Sequence, residues 1–386
     1  MKRYASLTFM VGALVIFGGC SGFFTELAAN QTVNVMAKAG ASFDEESDPW
    51  LARAAATSNL KFFEGVLKAS PENENLMVMI AKNYGLYTFA FLQDDLDQLE
   101  WGTPEYDALK ARMINYYERT VGYAVMRMTL DYEDFAAAVR APDAARIDQI
   151  LADCDPEDHL SAMYWLAYGW GNLINLQNDD PSVVADLGRV KRLMGWVRAH
   201  DGTFQNGGPH LFFGAMHLAL PPALGGQPEA AREAFEAGIA VTAGRFLLAK
   251  ALYAHYYMVA VNDREGYERL LREVIDAPAD LFPEQRLANE LARIRAQRWL
   301  GEIDDYFDPP EAGADGSSSE DEAESADESD GGSGDLQSDS APAPSAAEEE
   351  SDGDLTPTED GDLTPTDDDE EKKDSALAPA RTMGRA

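Results

Sequence analysis

Thr103-Pro-Glu-Tyr-Asp-Ala-Leu-Lys-Ala-Arg-Met-Ile-Asn-Tyr-Tyr-Glu-Arg-Thr-Val-Gly-Tyr-Ala-Val-Met-Arg-Met128 is the stretch on which the fold turns. Leu109, Met113, Tyr117, Val121, Ala124 and Met128 recur every three or four residues, which lays one apolar stripe along a helix of period 3.6. Thr103 offers a capping oxygen, and Pro104 sits where a missing N–H costs nothing. Asp48-Pro49, Asp180-Pro181 and Phe282-Pro283 open further helical stretches in the same way, and Leu287, Leu291 and Ile294 mark the last stripe. Between Asp48 and Phe307 no sustained period-two alternation is bounded by hairpin turns. The expectation is an all-α chain.

Outward from that stretch, helix pairs suggest a repeat. Ala254, Tyr257, Gly266, Leu270 and Pro278 follow the tetratricopeptide frame, in which small residues let paired helices approach, large ones fill the gap and proline ends the second helix. Phe63 and Pro71 repeat the last step, Ile80-Ala81-x-x-Tyr84 follows at the phase of the next unit, and Ala231-x-x-x-Phe235 is a further fragment. The expected architecture is a compact α-α superhelical body of degenerate tetratricopeptide-like repeats. Gln93 to Gly102 reads as an insertion after the first helix of the second unit.

The chain has 386 residues, 31 Lys plus Arg against 68 Asp plus Glu, and a formal net charge of −37. Such a balance excludes nucleic acid as a partner, because phosphate binding needs a basic patch. The imbalance is densest from Glu311 onward, where 25 acidic residues face 4 basic ones and no Trp, Tyr or Phe occurs. That composition cannot bury enough apolar surface to offset the entropy of ordering, so residues 308–386 are expected to be a disordered acidic tail. Within it Asp352-Gly-Asp-Leu-Thr-Pro-Thr358 recurs as Asp360-Gly-Asp-Leu-Thr-Pro-Thr366. The Asp-Gly-Asp pattern is found in calcium loops, but the downstream Glu and flanking helices are missing, which favours a solvated linker.

At the other end, Lys2 and Arg3 precede a charge-free run from Tyr4 to Gly19 that is short for a membrane span. The run ends Ile16-Phe-Gly-Gly-Cys20-Ser, small residues before a cysteine, as in a bacterial lipobox. The expectation is a lipoprotein signal peptide over residues 1–19 and lipidation of Cys20. Residues 20–47 are then a lipidated N-terminus and linker, and residues 48–307 the helical domain. A plain secretory leader with an incidental cysteine is the other reading. Ser21 is not the Asp that retains many lipoproteins at the inner membrane, which favours the outer membrane. Cys154, between Asp153 and Asp155, reads as a quiet structural thiol.

Candidate binding residues are aromatic. Tyr164, Trp165, Tyr168 and Trp170 form a dense patch with Gly169 and Gly171 beside it. Tyr164 and Tyr168 share a helix face, and the patch is either helix-pair core or the lining of a ligand channel. Tyr253, His255, Tyr256 and Tyr257 are candidates for the same lining. His210 and His217 lie two turns apart without a third ligand, and Asp94, Asp95 and Asp97 read as a solvated helix end. There is no G-x-S-x-G, Walker loop or dinucleotide fingerprint, so no catalytic residue, metal or cofactor is assigned.

The lipobox, the helix pairs and five local strings together resemble the T-component lipoproteins of TRAP (tripartite ATP-independent periplasmic) transporters. The strings are Ala69-Ser-Pro-Glu-Asn73, Met163-Tyr-Trp-Leu-Ala-Tyr-Gly-Trp170, Ala231-Arg-Glu-Ala-Phe-Glu-Ala237, Leu252-Tyr-Ala-His-Tyr-Tyr257 and Pro283-Glu-Gln-Arg-Leu-Ala-Asn289 continuing to Arg298-Trp-Leu300. The resemblance covers about residues 20–307. It implies a non-catalytic, periplasm-facing subunit that forms a homotrimer and associates with the periplasmic solute-binding subunit. It also implies a channel through each protomer for an apolar or amphipathic ligand. A tetratricopeptide scaffold lipoprotein for outer-membrane or cell-wall assembly is the alternative.

Overall fold

Thr103 does cap the helix it opens. Its hydroxyl oxygen accepts from the Tyr106 N–H at 3.3 Å, and the helix runs Pro104–Asp131. Asp48 accepts from the N–H groups of Trp50 and Leu51 at 2.9 and 3.3 Å, Asn73 from Leu76 at 2.9 Å, and Asp155 from Glu157 at 2.9 Å. Each cap satisfies a donor that the first turn leaves open, worth about 1 kcal/mol. The structure, a computed structural model, describes residues 31–307 except positions 34, 37 and 221. Leader, Cys20 and acidic tail lie outside the described residues.

The body is all-α, with no strand among the described residues. Its main helices are α1 Pro49–Ala69, α2 Glu74–Tyr87, α3 Gln93–Asp97, α4 Pro104–Asp131, α5 Ala145–Asp153, α6 Pro156–Leu176, α7 Leu187–His200, α8 Phe204–His217, α9 Pro228–Val241, α10 Leu247–Leu252, α11 Arg264–Asp276 and α12 Arg286–Gly301. Two π-helical segments interrupt them, Thr88–Leu92 joining α2 to α3 and Tyr253–Met258 extending α10. Sequence neighbours pack on one another: α1 on α2, α2 and α6 on α4, α7 on α6, and α9 on α8, while α10, α11 and α12 form a last group. Ala254 and Tyr257 lie on the second π segment, and Gly266 and Leu270 on the helix packed against it.

The stripe read from the sequence is the core face. Met113, Tyr117, Ala124 and Met128 are completely buried, and Ala124 and Met128 join Phe135, Met163, Trp165 and Leu166 in the largest apolar cluster. Burying one such large side chain contributes roughly 1.5–3 kcal/mol. A separate cluster around Phe235, Tyr267, Leu271 and Trp299 fills the C-terminal half. Close approach of α8 and α9 depends on glycine: a Cβ at Gly214 would stand 2.7 Å from the Phe235 ring, and one at Gly238 2.7 Å from Leu211. Polar ties run across the first helices. Arg127, almost wholly buried, pairs with Glu74 at 2.8 Å and Asp131 at 2.5 Å, and His159 meets Asp131 at 3.0 Å.

Two boundaries differ from the sequence reading. Residues 31–44 are largely helical, and Val33, 2% exposed, packs with Leu60, Phe63 and Leu76, so the folded body begins upstream of Asp48. The stretch from Gln93, read as an insertion, begins as helix. The π segment carries the chain straight from α2 into α3, and the loop is confined to the residues between Asp97 and Pro104.

The last long helix returns to the first. Leu287 on α12 shares an apolar cluster with Ala52 and Ala56 on α1 and with Phe91 of the first π segment. Beside that cluster Arg53 forks onto Asp95, with one arm at 2.8 Å. The chain thereby closes on itself across more than 200 residues of sequence.

Candidate functional site

Closure brings α12 against both π segments. Arg295 Nη2 donates to the carbonyl oxygens of Phe89 and Ala90 at 2.5 and 3.3 Å, and its guanidinium lies over the Phe89 ring at 4.8 Å. One turn on, Arg298 Nη2 reaches Asp94 at 2.9 Å and Asp97 at 3.2 Å, while Arg295 Nε stands 3.5 Å from Asp94. The three aspartates read as a solvated helix end thus bind arginines, and Asp97 is 5% exposed. Burial pushes its carboxyl above the ordinary value, against the pull of Gln93, Arg295 and Arg298. Next to Arg298 on α12, Trp299 stacks with His255, centroids 4.1 Å apart, and His255 meets Tyr306 edge-on at 5.3 Å. Neither ring nitrogen of His255 has a hydrogen-bond partner. Burial, then the nearby Arg298 and Arg295 charges, push its pKa down to about 3. π turns, which bond i to i+5, gather at functional sites, and here two converge on one helix.

Aromatic side chains continue from Phe89. Tyr168 meets Phe89 and Tyr117 edge-on, each at 6.4 Å, and stacks with Tyr164 at 5.9 Å. Tyr164 also meets Trp165 at 4.9 Å and Phe204 at 5.0 Å. Its hydroxyl presses on the backbone at Gly208, just after Gln205, Asn206 and Gly207, all at positive φ. Gly85 makes room for Tyr168, since a Cβ there would lie 3.3 Å from its ring. Gly169 and Gly171 serve helix contact, facing Thr120 and Phe212. The Tyr117 hydroxyl is buried without a partner. Burial raises the phenol pKa of Tyr117, Tyr164 and Tyr168, and that of Tyr256 to about 12.

The sequence-chosen residues divide. Tyr168 meets both Tyr164 and Tyr117 through their rings, while Tyr256 meets His255 edge-on at 5.4 Å. Tyr168 and Tyr256 are half-buried. Trp165 is 1% exposed and sits in the main core, and Trp170 is half-buried against it. Tyr253 and Tyr257 turn the other way, stacking on each other at 5.1 Å, with Tyr253 against Phe235 of α9 at 5.5 Å. His210 and His217 both lie on α8, partly buried, and burial lowers both pKa values. Cys154 is buried, which raises its thiol pKa. Among the described residues no three His, Cys, Asp or Glu side chains converge as a metal site, and no helix is long and apolar enough to cross a membrane. A separate cleft of about 230 Å³ between Val139–Ile147 and Ala185–Leu193 shares no residue with this cluster.

The family model described as TRAP transporter T-component matches residues 45–307, nearly the whole described body. The chain belongs to that family. A T-component is an accessory part of a transport system, not an enzyme family. An uncharacterized protein of Treponema pallidum (strain Nichols) is similar, 25% identical over 271 residues that cover 69% of this chain and 82% of the relative. In this T-component, sequence reasoning missed Phe89, Tyr117, Arg295 and Arg298. One signal was present: Arg295 and Arg298 share a helix face, as do Asp94 and Asp97, at matching three-residue spacing.

Proposed function

We propose that the chain is a lipid-anchored accessory subunit of a TRAP-type transport system, held at the outer membrane and facing the periplasm. It acts without catalysis, as a homotrimer of degenerate helix-pair repeats that docks the periplasmic solute-binding subunit. Its interior holds or passes a hydrophobic or amphipathic ligand along Tyr164, Tyr168 and Tyr256. Family membership carries the transport reading. Support for the ligand comes from the aromatic row of Phe89, Tyr117, Tyr168 and Tyr164, in which Tyr168 is half-buried. Helix-pair architectures expose extended surfaces suited to protein partners. The mature chain is expected to sediment as a trimer and to bind the solute-binding protein of its own transport system. A strict monomer that ignores that protein overturns the proposal and leaves a scaffold lipoprotein of envelope assembly.

A further inference from the structure

The large apolar side chains that the body leaves in water are unevenly placed. Among the described residues the five most exposed are Trp50 at 76%, Trp101 at 73%, Val35 at 66%, Phe62 at 51% and Leu51 at 49%. Four of them lie between Val35 and Phe62, on the first two helical stretches, and Trp101 stands in the loop after α3. Arg53, one turn on from Trp50, forks onto Asp95 and so fastens α3 to the start of α1. Leu51, Ala55, Ser58, Phe62, Gly65 and Ala69 recur every three or four residues along the outer side of α1, and none is charged. Exposed Lys61 and Lys68 flank that strip, and Lys38 is exposed on the stretch before it. Val33 clusters with Leu60 and Phe63, and Phe43 with Ala52 and Ala56. The stretch 31–44 therefore runs antiparallel to α1, and its first residues lie level with Phe62. Ten residues separate Cys20 from Gln31, a reach of at most about 40 Å even when fully drawn out.

A single exposed apolar residue is ordinary, but a group that includes two tryptophans marks a contact surface. Tryptophan favours the headgroup level of a bilayer, where its ring is half in hydrocarbon and half in water, and neighbouring lysines reach lipid phosphates. No described helix is long and apolar enough to cross a membrane, so the contact is with the surface. We propose that the face formed by Val35, Trp50, Leu51, Phe62 and Trp101 lies on the bilayer that holds the Cys20 anchor, with these side chains entering the headgroup layer. The proposal rests on the reading of Cys20 as lipidated, and it adds which side of the body meets the lipid. Glu45, Glu46 and Asp48 occupy the turn between the two helical stretches. The apolar side chains therefore lead the contact, and Lys38, Lys61 and Lys68 add attraction to anionic lipid. Lying down on this face leaves the later helices free for the partner subunit.

Vesicles of phosphatidylcholine and phosphatidylglycerol, with part of the lipid brominated near the headgroup end of its acyl chains, carry the test. Bromine quenches tryptophan fluorescence only at close range. The full mature chain, lipidated and reconstituted into these vesicles, is expected to be quenched, and Trp50→Ser with Trp101→Ser should remove at least about half of the effect. Both side chains are exposed, so the helical circular dichroism should not change. A second measurement uses the full mature chain bearing Cys20→Ser, which carries no lipid. It should co-sediment weakly with the same vesicles, and adding Trp50→Ser or Phe62→Ser should weaken that binding by about tenfold each, the effect of withdrawing one half-buried aromatic ring from lipid. A lipidated chain that is not quenched overturns the proposal. So does a Trp50→Ser, Trp101→Ser chain that keeps its quenching but loses its trimer or its capture of the solute-binding protein, because the face is then a protein contact. Mass spectrometry of the N-terminal peptide separates the two readings. Lipid on Cys20 without quenching sinks this inference alone, and quenching of a chain whose Cys20 is unmodified sinks the anchor alone.

Discussion

His255→Phe tests whether the interior is as sealed and as neutral as its geometry implies. His255 is 3% exposed, stacked on Trp299, and hydrogen-bonded at neither nitrogen. Its pKa lies near 3 in the folded chain against an ordinary 6.5. A depressed folded value means that the unfolded chain takes up a proton the folded chain refuses. The stability concerned is present above 6.5 and is lost as pH falls towards 3. Each unit of that window corresponds to about 1.36 kcal/mol. Between about pH 7 and about pH 4.5, linkage therefore takes roughly 2–3 kcal/mol from the wild type through this one residue. His255→Phe keeps an aromatic ring against Trp299 and removes the titration. At neutral pH the variant should be as stable or more stable by up to about 1 kcal/mol, because two unpartnered buried nitrogens disappear. Urea unfolding followed by helical circular dichroism at the two pH values gives the comparison. All other titrating groups are common to both proteins and cancel in the difference. Equal acid losses, within about 0.5 kcal/mol, would refute the reasoning and place His255 in contact with water or a proton acceptor.

Two further outcomes can be measured independently. Gly214→Ala should cost about 1–3 kcal/mol in thermal or urea unfolding, since its Cβ would stand 2.7 to 2.9 Å from the buried Phe235 ring. Gly65→Ala, exposed on α1 with nothing within 4 Å of its Cβ, should stabilise by about 0.5–1 kcal/mol, so the same substitution carries opposite signs at the two sites. Cys20→Ser should release the mature chain from the membrane fraction and abolish a lipid-modified N-terminal peptide in mass spectrometry; retention of that peptide refutes the lipobox reading.

The helices were legible because their determinants are local. Stripe residues at helical spacing, a capping oxygen and a proline at the first turn act within a few residues, and Thr103, Asp48 and Asp155 all cap as such local chemistry dictates. The upstream boundary was missed because Val33 acquires its meaning only from Leu60 and Phe63, across a helix turn. The π segments were missed for a different reason. A switch from i→i+4 to i→i+5 bonding demands no particular residue type, yet it rotates everything after it. The Leu252–Tyr257 string divides, Tyr253 packing against Phe235 of α9 and Tyr256 meeting His255 edge-on. Neighbouring residues on any helix point to different sides, so six in a row do not make one lining surface.

The aspartates show how far composition can mislead. In a chain of net charge −37, three carboxylates within four residues are most economically read as solvated. Asp94 and Asp97 find their partners about 200 residues away, on the helix that closes the body, and Asp95 pairs with Arg53 on α1. A buried ion pair is weak support for stability, because desolvation offsets most of the attraction. An apolar seam of Leu287, Ala52 and Phe91 already holds α12 to α1. What the matched charges add is direction and neutrality. Arg295 and Arg298 must meet Asp94 and the Phe89 carbonyl together, which fixes the rotation of α12 and with it the faces of Trp299 and His255. Once they have met, each of the two guanidiniums stands within 3.5 Å of a carboxylate. Closing the body and pairing the charges buried by closure are consequences of the same four side chains, Arg295, Arg298, Asp94 and Asp97.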